Sequence, residues 1–170
     1  MSNPKIDPQF LLDYAAIRDI QERYFMAVDR GDVQGVRDCF TDDVHATYHM
    51  KPVMLGLDAM MDQTILPFFG RLKSGEVKVS THFMGNFRIE RLEGDVAECE
   101  VYAIATHVLP DAEGKAHSKL RTISLRYLDR LKRTGAGWKI SMRVQTLDWG
   151  CEMAGNNATP FAQRVFSLGK

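Results

Sequence analysis

Two histidines fall in segments where side chains alternate between apolar and polar, as they do in a half-buried β-strand. Near pH 7 a histidine, with an ordinary pKa of about 6.5, can be neutral and still accept a proton, so it suits acid–base chemistry. His82, in "STHFM", shares a strand face with Ser80 and Met84. His107 ends an otherwise apolar row that runs from Ala97 to Ala105. Taken singly, each histidine is better explained as a structural residue than as a functional one.

Other residue types that could do chemistry form weaker patterns. His45 and His49 stand four residues apart and could share a metal ion, but no third ligand accompanies them, so we predict no metal site. The sequence has no G-x-S-x-G, P-loop or G-x-G-x-x-G motif, and "GAG" at 135–137 is typical of a hairpin turn. We therefore predict no nucleotide and no other cofactor.

Four further polar residues have ordinary structural explanations. Asp29 follows an apolar run in "RYFMAVDRGD", where a helix end that faces water would account for it. Tyr24 and Tyr48 suit amphipathic core positions whose hydroxyls reach a polar edge. Arg143, in "ISMRV", lies on the mixed side of the last alternating segment and could be plain surface. None of the four is assigned a function by its own pattern.

The elements that must position these residues follow from hydrophobic periodicity. Apolar residues from Leu12 to Val28 recur at three- and four-residue steps, which predicts an amphipathic helix that ends at Gly31. Asp32 can cap a short second helix running to Phe40. "HATYHM" alternates like a short strand, and the apolar spacing of 57–72 predicts a third helix, bent or divided at Pro67.

From residue 76 onward the period of the pattern changes to two. Four alternating segments are separated by "EGD", "PDAEGKAH" and "TGAG", and such turn sequences are typical of an antiparallel meander. Helices first and strands afterwards indicate an α+β domain in which the helices cover one face of a curved sheet.

Size and charge exclude several classes of protein. The chain has 170 residues, the size of one ordinary domain, and its 22 basic and 22 acidic residues balance, which argues against a nucleic-acid partner. The three cysteines are widely spaced and suggest neither disulfides nor a zinc site, so a cytoplasmic location fits best. No apolar stretch is long enough for a membrane span, and residues 151–170 read as a looser C-terminal tail.

Three phrases in this order resemble the SnoaL-like branch of the nuclear transport factor 2-like superfamily. They are "IRDIQERYFMAVDRGDVQGVRDCFTDDV", "THFMGNFRIERLEGDVAECEVY" and "RYLDRLKRTGAGWKISMRVQTLDW". The resemblance implies one cone-shaped α+β barrel over residues 1–150, with helices packed into a strongly curved antiparallel sheet and an apolar pocket at its open end. Members such as scytalone dehydratase, bile acid 7α-dehydratase and hexachlorocyclohexane dehydrochlorinase share proton abstraction from carbon without a cofactor.

The same resemblance implies roles for six residues of this chain. The catalytic residues would be His82 and Asp29, as a dyad, and the pocket arginine Arg143. The substrate-binding residues would be Tyr24, Tyr48 and His107. The match is incomplete, because the dehydrochlorinase has a lysine in place of Tyr24 and the bile acid enzyme has a carboxylate near His107.

The sequence therefore predicts a cofactor-independent lyase, a dehydratase acting on a small hydrophobic cyclic or aromatic molecule. Apolar walls are expected from Phe68, Phe69, Met84 and Met54. A homodimer or homotrimer is expected through the outer face of the sheet, as in relatives. The alternatives are a non-catalytic ligand-binding or assembly module of the same fold, in which side chains would fill the pocket, and an isomerase or polyketide cyclase.

Overall fold

The computed structural model describes residues 6–110, 118–155 and Val165. The helical elements are α1 (Pro8–Arg30), α2 (Val33–Asp38), α3 (Leu57–Met60), a π-helical segment (Met61–Ile65) and α4 (Leu66–Ser74). The strands are β1 (Phe40–Thr47), β2 (Met54–Leu55), β3 (Val79–Glu93), β4 (Val96–Leu109), β5 (Ser118–Thr134) and β6 (Gly137–Gly155).

Helix α1 has clear start and stop signals. The Asp7 carboxylate accepts a hydrogen bond from the Phe10 amide at 2.9 Å, and Pro8 occupies the first turn, where its missing N–H costs nothing. The predicted stop at Gly31 is confirmed, because Gly31 adopts the left-handed conformation (φ 66°) that closes the helix. The buried face includes Ile17 and Tyr24, as the amphipathic pattern predicted, but Leu12 is exposed and the helix begins four residues before it.

The second helix is shorter than predicted. Asp32 caps it as expected, accepting from the Gly35 amide at 2.9 Å. The helix ends at Asp38, however, and Phe40 is the first residue of β1, fully buried and paired with Ile140 of β6. The β1–β6 pairing is parallel, a long-range contact that periodicity does not reveal.

The third predicted helix is present but divided. It runs from Leu57 to Ser74 and widens into the π-helical segment directly before Leu66 and Pro67. In a regular α-helix the amide of residue 67 would bond to the carbonyl of Gln63, and proline has no N–H to give. The expected effect of Pro67 is thus seen in the turn that precedes it.

The strands form one six-stranded sheet in the order β2-β1-β6-β5-β4-β3. The predicted meander β3–β4–β5–β6 is confirmed, and every pair except β1–β6 is antiparallel. The sheet curves around α1, whose Ile17, Tyr24 and Val28 join a core that includes Val101 and Leu125 from the strands. The architecture is the expected α+β barrel, with helices packed into a strongly curved sheet.

Two β-bulges change which side chains face the core. In β3 one extra residue lies between Met84 and Phe87, so Phe87 and Ile89 turn inward. Asn86 and Arg88 are therefore exposed, although strict alternation along β3 would place them on the same face as His82.

The other bulge lies in β6 and likewise changes which side chains face the core. It places Ser141 as an extra residue between Ile140 and Met142. Trp138 and Ile140 before the bulge and Arg143 after it then all point to the core, although strict alternation separates them.

The end of the sheet lies beyond the expected domain boundary. β6 continues from residue 150 to Gly155, which pairs with Ser118 at the start of β5. Residues 151–155 are thus part of the sheet rather than of a tail. The rest of the predicted tail lies outside the described residues, apart from exposed Val165. Within the described part of the chain, no helix is long and apolar enough to cross a membrane.

Candidate active site

Asp29 and His82 are brought together from different elements. Asp29 is in the last turn of α1, and His82 is on β3, which packs against that helix. The Asp29 Oδ1 atom lies 2.7 Å from the ring Nδ1 of His82, and Oδ2 accepts the His82 backbone N–H at 2.7 Å. Ser80 donates its hydroxyl to Oδ1 at 2.8 Å. The side chains of His82 and Asp29 are only 7% and 16% exposed, so this contact is shielded from water.

These hydrogen bonds fix the charge of Asp29. Burial acts to raise the pKa of the Asp29 carboxyl, but the hydrogen bonds from the His82 ring, the His82 backbone and Ser80 outweigh it and lower the pKa. Because an ionised carboxylate only accepts, Nδ1 of His82 carries the proton that it receives. Nε2, on the opposite edge of the ring, is then the basic nitrogen. Phe25 stacks on the ring with a centroid distance of 5.6 Å and restrains its orientation.

His82 lines a cavity of about 260 Å³ between α1, the α3–α4 region and the sheet. Of the four predicted wall residues, Phe68 lines the cavity, whereas Met54, Phe69 and Met84 pack elsewhere in or against the core. The apolar lining residues are Val28, Ile65, Phe68, Ala105, Ile123, Leu125 and Leu147. The polar ones are Tyr24, Tyr48, His49, Lys51, Thr64, His82, His107, Tyr127 and Gln145.

His107 lines the same cavity beside His82. The two rings meet edge to face at a centroid distance of 6.1 Å, and Phe68 covers His107 at 5.3 Å. Burial, with smaller contributions from the neighbouring His82 and Arg71 side chains, lowers the pKa of His107 to about 4, so the ring is neutral at pH 7. Its Nε2 atom is buried and has no hydrogen-bond partner among the described residues. A ligand in the cavity could supply that partner.

Tyr24 and Tyr48 form the polar part of the cavity on another side. Their hydroxyl oxygens are 3.0 Å apart, and both side chains are buried. Burial raises the pKa of both phenols, so they stay protonated and can donate hydrogen bonds. Four of the predicted site residues thus line one cavity: Tyr24, Tyr48, His82 and His107. A fifth, Asp29, contacts His82 from behind the cavity wall.

Arg143 occupies a different place from the one expected. It is fully buried and binds Asp129 through two nitrogens, at 2.6 and 2.9 Å, and Gln21 at 2.9 Å. The guanidinium lies 4.1 Å from the ring centroid of Tyr24 and 4.7 Å from that of Tyr127. Arg143 is therefore behind the aromatic wall and does not line the cavity, which corrects the prediction that it acts there directly.

Several lining residues were not predicted. Tyr127 lies in the alternating segment "SLRYLDRL" and pairs with Gln145, so a correct strand register would have identified it. Lys51 and Thr64 come from the β1–β2 connection and the π-helical segment, for which the sequence carries no comparable signal. Among the described residues, no group of three or more His, Cys, Asp or Glu side chains could hold a metal ion.

Residues 9–144 match the family model described as a SnoaL-like domain. No curated protein gives a significant match. Among solved structures, a candidate aromatic ring hydroxylase from Novosphingobium aromaticivorans is 25% identical, with a TM-score of 0.68 over 85% of this chain and 94% of that one.

Two further solved structures share the fold at lower identity. A candidate scytalone dehydratase from the same species is 16% identical, with a TM-score of 0.71 over 92% of this chain and 97% of that one. A hexachlorocyclohexane dehydrochlorinase, LinA type 2, is 19% identical, with a TM-score of 0.71 over 91% and 98% of the two chains. With the family model matching most of its length, the chain belongs to the SnoaL-like family.

Proposed function

We propose that this protein is a cofactor-independent lyase, a dehydratase that removes water from a small hydrophobic cyclic or aromatic molecule. The observation that carries the proposal is the 2.7 Å contact between Asp29 and His82 Nδ1 at the wall of an apolar cavity. A histidine held in this way presents a basic nitrogen to the cavity, and the cavity excludes most of the water that would compete for the proton.

The first step is removal of a proton from a carbon next to a carbonyl group. His82 Nε2 takes the proton, and the buried Asp29 carboxylate stabilises the imidazolium that forms. A positioned general base of this kind contributes a factor of about 10²–10⁴ to the rate. Tyr24 and Tyr48, as neutral phenols, donate hydrogen bonds to the oxygen on which negative charge develops.

The second step is loss of the hydroxyl group from the neighbouring carbon. The electron pair left at carbon forms the new double bond as the C–O bond breaks. The imidazolium of His82 returns its proton to the departing hydroxyl, so water leaves and neutral His82 is restored. His107, beside His82, can hydrogen-bond this group through its Nε2, which has no partner among the residues that the structure describes.

The neighbours support this chemistry by their names. One is described as a candidate scytalone dehydratase and another as a dehydrochlorinase, and both names denote elimination reactions. The candidate aromatic ring hydroxylase adds support for a ring-shaped substrate. An isomerase or cyclase would share the first step and differ in the fate of the enolate.

Two features favour an enzyme over a non-catalytic assembly module. Such a module would have its pocket filled by side chains and Asp29 beyond hydrogen-bonding distance of His82. The cavity of about 260 Å³ and the 2.7 Å contact are the opposite arrangement. The predicted homodimer or homotrimer is compatible with either function, and light scattering on the purified chain measures it.

The test is loss of water from a panel of cyclic β-hydroxy ketones, followed by mass spectrometry. We expect conversion by the wild-type protein, with kcat lowered about 10²–10⁴-fold in His82→Gln and Asp29→Asn. His45→Gln is the matched control, because His45 is exposed on β1 and does not line the cavity. Full activity of both dyad variants on a converted substrate would refute the assignment.

A further inference from the structure

Lys51 is the one lysine or arginine among the described residues that line the cavity. It lies in the connection between β1 and β2 and is exposed, so it marks the open end of the cavity. No aspartate or glutamate is among the described lining residues. The mouth therefore carries a cation on an otherwise apolar and neutral polar surface.

The ammonium group of Lys51 is anchored across the mouth. Its Nζ donates to the backbone carbonyl of Gln63 and to Thr64 Oγ1, the latter at 3.3 Å, and both acceptors are in the π-helical segment. Pro67 has no N–H and therefore cannot donate a helical hydrogen bond to the Gln63 carbonyl. An ammonium group has three N–H donors, so one remains for a bound molecule.

The charge of Lys51 is not neutralised by its described surroundings. None of the Asp or Glu side chains within 6–110 and 118–155 forms an ion pair with it, and its two acceptors are uncharged. An anionic group on a ligand is favoured at such a place.

We propose that Lys51 binds a carboxylate of the substrate, so that the substrate is a small cyclic or aromatic acid. Its ring fills the apolar part of the cavity toward His82, and its carboxylate stays at the mouth beside Lys51. This inference rests on the proposed function only in taking the cavity as the substrate site. The cavity volume of about 260 Å³ suits a compact molecule, since pockets for drug-sized ligands measure about 300–1,000 Å³.

The experiment compares cinnamate with cinnamamide, which have the same shape and differ in charge. Isothermal titration calorimetry at low salt measures the affinity of both probes for the wild-type protein, Lys51→Met, Lys51→Arg and the control Lys73→Met. Lys73 is exposed near the end of α4 and does not line the cavity.

We expect wild-type protein to prefer cinnamate, and Lys51→Met to lose about five- to tenfold in cinnamate affinity while keeping its affinity for the amide. Lys51→Arg should retain the preference, Lys73→Met should behave as wild type, and added salt should weaken cinnamate binding alone.

Wild-type affinity for cinnamate no greater than for cinnamamide, or an unchanged preference in Lys51→Met, would overturn the proposal. The two proposals can fail separately. If His82→Gln stays active, the dyad assignment is wrong, but the preference for cinnamate over cinnamamide can still depend on Lys51.

Discussion

Replacing His107 with glutamine removes a side chain that stays neutral in the folded protein at pH values where an ordinary histidine is protonated. Burial, with smaller contributions from the neighbouring His82 and Arg71 side chains, lowers the pKa of His107 to about 4. In the unfolded chain the pKa is about 6.5. Between these two values the unfolded chain binds more protons than the folded protein, so the free energy of unfolding rises with pH across that window.

The magnitude follows from the two pKa values. Protonation of His107 in the unfolded chain lowers the free energy of unfolding by about 2 kcal/mol between pH 7 and pH 5. The side chain is partly exposed, and solvent screening reduces the expected loss to about 1–2 kcal/mol. His107→Gln is uncharged at both pH values and should lose this part of the pH dependence.

Urea unfolding at pH 7 and pH 5 measures the difference. Asp29 does not interfere: its lowered pKa makes its contribution complete above the unfolded value of about 3.9 and lost only at more acidic pH. His45→Gln, an exposed histidine replaced in the same way, should keep the wild-type dependence. If His107→Gln and wild type lose the same free energy on going from pH 7 to pH 5, the reasoning is refuted.

Two further substitutions test groups around the cavity. Tyr48→Phe removes the hydroxyl that lies 3.0 Å from the Tyr24 hydroxyl, and we expect the free energy of unfolding to fall by about 1 kcal/mol. We also expect kcat to fall tenfold or more, which corresponds to about 1.4 kcal/mol of activation free energy. An unchanged kcat would exclude the two phenols from the reaction. Asp129→Asn leaves the buried Arg143 charge without its counter-ion, and we expect it to lower the free energy of unfolding, measured in urea, by about 3–5 kcal/mol. Asp148→Asn, at a more exposed ion pair, should cost less than about 1 kcal/mol, and equal losses would contradict the role given to burial.

The order of elements was predictable because each one has local causes. The left-handed Gly31, the Asp32 cap and the period-two segments act over a few residues, and a family resemblance supplied the barrel. The β1–β6 parallel pairing was not predictable, since it joins Phe40 to a strand about a hundred residues later. Nothing within a short window specifies such a contact.

The site residues that lie on strand segments without a bulge could be assigned to the correct face from the sequence. His82 precedes the β3 bulge and His107 lies on the regular strand β4, so both faces were read correctly. Arg143 follows a bulge in β6, and its burial depends on Asp129 and Gln21, which are distant in sequence. Lys51 reaches the cavity from an irregular connection, where periodicity assigns no face.

The central claim is that His82 removes a proton from carbon with Asp29 holding its ring. The most direct measurement is exchange of the hydrogens next to the carbonyl of a cyclic ketone, such as α-tetralone, for deuterium in D₂O, followed by proton NMR. We expect the wild-type protein and His45→Gln to accelerate the exchange, and His82→Gln to leave its rate near the uncatalysed one. Exchange that is equally fast with His82→Gln, or no acceleration by the wild-type protein, would contradict it.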